Sequence, residues 1–68
     1  MNTYRLNSNE LVYTPNLIRM AKQQFSFDPK WSLMLLMEGY HLPEPIAVDL
    51  LSGKIPFSIE GEAVVFTA

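Results

Sequence analysis

The sequence has no cysteine, one histidine, three glycines and only 18% charged residues. Without thiols there are no disulfides, no thiolate-held metals and no cysteine nucleophile, which fits a reducing compartment. A lone histidine and no Asp-x-Asp-x-Asp loop leave only scattered oxygen ligands, so no metal is expected. Gly39, Gly53 and Gly61 stand apart from one another, so neither a glycine-rich phosphate loop nor a nucleotide cofactor is expected. The longest apolar run, Leu33 to Met37, falls far below the ~20 residues a membrane span needs. Residues 1–9 lack the basic start and apolar stretch of a signal peptide, so the chain reads as cytoplasmic.

What the chain does contain suits one packed domain over residues 1–68, since 49% of its 68 residues are hydrophobic. A core of this size rarely yields more than ~3–5 kcal/mol, so a homodimer or a bound partner would add needed stability. The net charge of −2 argues against a general affinity for nucleic-acid phosphates. Residues 1–37 set Arg5, Arg19, Lys22 and Lys30 against Glu10 and Asp28, whereas residues 38–68 set five acids against Lys54 alone. Such asymmetry is either scatter over a solvated surface or a device that steers a partner of complementary charge.

Local patterns predict an α+β domain in which two or three short helices pack on a small antiparallel sheet containing a C-terminal β-hairpin. Tyr4 and Leu6, then Leu11 and Tyr13, alternate with polar residues around Asn7-Ser8-Asn9-Glu10 and suggest two short strands. Thr14-Pro15 reads as an N-cap followed by a first-turn proline, with Leu17, Ile18, Ala21 and Phe25 on one helical face and Asn16, Arg19, Lys22 and Gln23 on the other. Asp28-Pro29 repeats that signal for a second helix to about Glu38, with Gly39 as its left-handed end. This helix is apolar nearly all round, which suits burial in a core or against a partner. Pro43 and Pro45 open a third helix, Glu44 being biased away from helix by the following proline, and Ser52-Gly53 closes it. Ile55, Phe57 and Ile59, then Val64 and Phe66, alternate about an expected Glu60-Gly61 turn. That register sets Ile55 opposite Phe66 and Phe57 opposite Val64, with Pro56 confining its strand to an edge.

No residue set in this pattern points to catalysis. His41 lies in a proline-bounded connection with no spacing that ties it to Ser32, Ser52, Ser58 or Asp49, and Glu60 and Glu62 belong to a wet hairpin tip. The chain therefore reads as a non-enzyme. Arg19, Lys22, Gln23 and Gln24 allow the alternative of a small DNA-binding regulator, although helix-turn-helix proteins put such side chains on the second helix, which is apolar here. Trp31, Tyr40, Tyr13, Phe27, Met34 and Met37 are core or interface residues by type, and the excess of apolar surface on the second helix favours an interface.

The segment Leu42-Pro-Glu-Pro-Ile-Ala-Val-Asp-Leu-Leu-Ser-Gly53, with Ile59-Glu-Gly-Glu-Ala-Val-Val-Phe66, resembles the tail of small phage and prophage proteins. The shared pattern is a proline-opened helix ending in Leu-Leu-x-Gly, an x-Gly-acid turn and a Val-Val-Phe strand. It spans less than half of the chain. The resemblance implies a short accessory protein that occludes a surface on a host protein or defence complex, as anti-CRISPR proteins do, and it transfers no residue. The expected function is a non-catalytic protein-binding module that inhibits or modulates a host protein, with Arg19, Lys22, Trp31 and Tyr40 as contacts and a homodimer as a further possibility.

Overall fold

Ala63-Val-Val-Phe-Thr67 is the segment richest in β-branched and aromatic residues, and it takes the centre of the sheet. The computed structural model describes residues 1–68 throughout. Its elements are strand β1 (Thr3–Leu6), helix α1 (Thr14–Gln24), helix α2 (Pro29–Met34) running into a π-helical turn (Leu35–Gly39), helix α3 (Glu44–Leu51) and strands β2 (Ser58–Glu60) and β3 (Ala63–Thr67). The architecture is α+β: three helices and an antiparallel three-stranded sheet of order β1-β3-β2.

Thr3 to Leu6 pair with Thr67 to Val64, and reciprocal bonds between Asn2 and Ala68 extend that ladder. Leu6, Val64 and Phe66 are buried, and Tyr4 stacks on Phe66 at 5.1 Å between ring centroids. The core over this sheet is closed by Ile18 and Ala21 of α1, Leu36 of the π turn, Leu42, and Ala47, Leu50 and Leu51 of α3.

Several local expectations need correction. Leu11 to Tyr13 do not form a strand, because the Asn9 side-chain oxygen accepts from the N–H groups of both Leu11 and Val12, the donors a ladder would have used. Thr14 is the first helical residue and not the cap: the Tyr13 carbonyl accepts the first intrahelical bond, from Leu17, and the Thr14 hydroxyl turns elsewhere. Asp28 does cap α2, accepting from the Trp31 N–H at 3.1 Å.

The second helix is α-helical only to Met34. Its π turn takes in an extra residue, so Gly39 lies inside the turn and the left-handed position falls on His41, at φ 59°. Leu42 N–H then closes back on the Leu36 carbonyl at 3.1 Å. Glu44 is helical despite the proline after it, and Pro45 in the first turn costs α3 no internal hydrogen bond. Gly53, at φ 85°, ends α3 as expected, with Lys54 N–H bonded to Asp49 and Gly53 N–H to Leu50.

The hairpin forms one residue later than expected. Ile59 opposes Val64 and Glu60 opposes Ala63, so the two-residue turn is Gly61-Glu62. Only the first of these has positive φ, at 63°. That is the type II′ requirement for glycine, whereas a Glu60-Gly61 turn of type I′ would have forced Glu60 into the same region. Pro56 and Phe57 consequently precede β2, which is an edge strand.

Candidate functional site

α1 and the segment from Asp28 to Tyr40 form an antiparallel helical pair with an inner and an outer side. At the inner contact Ala21 and Ser32 are both fully buried. Phe25 N–H bonds to Lys22 in place of the Ala21 carbonyl, and Ser32 Oγ donates to that carbonyl at 2.7 Å. A small hydroxyl here both lets the helices approach and satisfies a helix end.

At the other end, a polar seam ties helices to sheet. Tyr40 Oη and Thr14 Oγ1 are 2.8 Å apart, and because Thr14 donates its one proton to the Asn7 carbonyl, Tyr40 is the donor to Thr14. Thr14 N–H in turn donates to Ser8 Oγ, which donates to the Glu62 carbonyl. Every buried side-chain nitrogen and oxygen in the molecule has a partner.

α1 carries two apolar stripes offset by one residue. Thr14, Ile18, Ala21 and Phe25 face the core, while Tyr13, Leu17 and Met20, followed by the polar Gln24, repeat the four-three-four spacing on the outer side, so Leu17 lies there and not on the core face expected from sequence. Met20 and Gln24 line a groove of about 310 Å³ with Asp28 and Trp31. Met20 also lines a second groove, of about 340 Å³, with Leu11, Val12, Tyr13, Asn16 and Leu17. Val12 and Leu17 pass into a third beside Leu35, Gly39 and Tyr40. The three form one seam along the outer side of the helical pair.

The apolar atoms along this seam are open: Leu11 is 95% exposed, Met20 51%, Tyr13 46% and Trp31 38%. Loose packing is not the cause, because the total surface of 4472 Å² matches the roughly 4,400 Å² expected for a folded chain of this mass. Few of the charges found elsewhere enter the seam, and Asp28 is the only charged residue among its lining.

The four contact residues expected from sequence occupy three places. Trp31 lines the seam. Tyr40 is half-buried at its far end and engaged with Thr14. Lys22 lies on the opposite flank of α1, its ammonium 5.5 Å from the centroid of Phe57, and Arg19 is exposed with its guanidinium toward Asn16 at 3.4 Å. The structure thus separates Lys22 from Trp31. Met20 and Leu11 are seam residues outside the four expected contacts, Leu11 being expected in a strand; the outer stripe of α1 is the available signal for Met20.

His41 is exposed, Ser52 Oγ is turned to the Asp49 carbonyl, and Glu60 pairs with Arg5 at 3.8 Å. No group of three His, Asp or Glu side chains is gathered to hold an ion, and no helix is long and apolar enough to cross a membrane. No protein family, curated protein or solved structure matches this chain.

Proposed function

We propose that this chain is a non-catalytic protein-binding module that docks through the outer seam of its helical pair. The observation that supports this reading is the continuity of the seam: three grooves joined by Met20, Val12 and Leu17, with Trp31 and Tyr13 at their margins. Interfaces concentrate their energy in rigid aromatic and flexible methionine side chains of this kind, ringed by polar groups. Asn16, Gln24 and Asp28 supply such a ring. On the resemblance of residues 42–66 to phage proteins, the partner is a host protein whose surface the domain covers.

The test compares capture by the wild-type chain with capture by Met20→Glu and Trp31→Ala, using mass spectrometry of cross-linked host proteins. Both positions are exposed, so both variants should fold, with circular dichroism as the check. The same specific partner should lose at least about tenfold in affinity in each variant, the scale of one lost anchor. Identical capture by wild type and both folded variants would remove the seam from the account. Binding to duplex DNA that weakens steeply with salt and disappears in Arg19→Ala would favour the regulator reading.

A further inference from the structure

We infer that, in the absence of another partner, the seam is occupied by a second copy of the chain, in a two-fold antiparallel dimer with Met20 near the axis. This rests on the reading of the seam as a docking face and adds to it the identity of one occupant.

The first support is the symmetry of what surrounds Met20. Asn16 and Gln24 lie one helical turn before and after it, each lining a groove that Met20 shares. Arg19 reaches toward Asn16 at one end, and Asp28 lines the groove beside Gln24 at the other. Rotation about a two-fold axis at Met20 lays the Arg19 end of one copy against the Asp28 end of the other, twice, since an isologous interface uses the same patch on both subunits. Within the chain the one ion pair is Arg5–Glu60, so both Arg19 and Asp28 lack a charged partner of their own.

The second support is the composition and spacing of the outer side of α1, where two grooves meet at Met20. The outer stripe also has the four-three-four spacing by which antiparallel helices interlock side chains. A standard interface takes about 800 Å² from each partner, roughly a fifth of the 4472 Å² this chain exposes. An apolar centre of Met20, Trp31, Leu11 and Tyr13 with a rim of Asn16, Arg19, Gln24 and Asp28 has the ordinary anatomy of such a surface.

Trp31 is the only tryptophan, so its emission reports on the seam alone. Sedimentation equilibrium of the purified full chain from low micromolar to millimolar concentration should show a reversible monomer–dimer equilibrium. The emission of Trp31 should shift to the blue as the dimer fills. Met20→Glu should remain monomeric. Arg19→Glu and Asp28→Lys should each weaken self-association by about tenfold or more, and mixing the two should restore association, because the mixed pair has opposite charges at both ends. Asp28→Asn keeps the helix cap while removing the charge, and should weaken the dimer in the same direction if the charge is what acts.

A monomer at every concentration overturns the inference. So does a dimer that is indifferent to Arg19→Glu and to Asp28→Asn, or a charge-swapped pair that fails to reassociate while both variants are folded. None of these outcomes bears on capture of a host protein, so the failure of this inference and that of the proposed function are read separately.

Discussion

Ser32 does at the scale of one residue what the helical pair needs: it is small enough for α1 and α2 to touch, and its hydroxyl satisfies the Ala21 carbonyl left free where α1 ends. Ser32→Ala keeps the volume nearly unchanged but strands that carbonyl away from water. The expected cost is about 1–2 kcal/mol, read as a lower urea midpoint without a change in the slope. Ser32→Val loses the same hydrogen bond and adds overpacking against Ala21, so it should cost about 1–3 kcal/mol more than Ser32→Ala. A midpoint unchanged in Ser32→Ala would mean that water reaches the carbonyl after all. Nothing in the sequence marked Ser32 as special, since a serine inside an apolar helix reads as solvent-facing until its neighbour across the interface is known. The same limit hid Leu11, whose place beside Met20 depends on how the Asn9 turn folds back.

Elements with their own start and stop signals were legible: Asp28 as a cap, prolines opening all three helices, Gly53 as the left-handed end of α3 and the final two strands as a hairpin. Where the signals misled, a neighbouring requirement had displaced them by a residue or two. The π turn absorbs Gly39 and hands the reversal of direction to His41, a residue that carries a Cβ into a region costing an L-amino acid about 1–2 kcal/mol. His41→Gly removes that penalty while adding freedom to the unfolded chain, so a net gain of about 0.5 kcal/mol is expected. His41→Val should lose stability, because branching at Cβ makes positive φ harder still. Thermal or urea unfolding of the two variants should move in opposite directions; equal shifts would mean that the turn relaxes to another conformation. The pairing of β1 with β3 had no local signal, because residues 3–6 meet residues 64–67 only once the chain between them has folded.

Across the whole molecule, β3 is bonded on both sides whereas β1 and β2 each have an open edge. Amide hydrogen exchange should therefore be slowest in residues 63–67 and approach the rate set by global unfolding, with Ser58–Glu60 exchanging sooner through local fraying. Equally rapid exchange in both would mean that the sheet opens without the rest. The candidate site was legible only in part: of the apolar excess expected on the second helix, Leu33, Leu35, Leu36 and Met37 pack in or against the core and Trp31 and Met34 stay exposed, whereas the seam's path onto α1 through Met20 required the two helices to be set side by side. The chain order of the sheet carries a consequence for biosynthesis. Because β3 comes after every other element, the strand at residues 3–6 has no partner until residues 63–67 leave the ribosome. At about 5–20 residues per second, synthesis of the stretch from the end of α1 to β3 takes on the order of seconds, during which the inner side of the helices lacks the strand that completes the core.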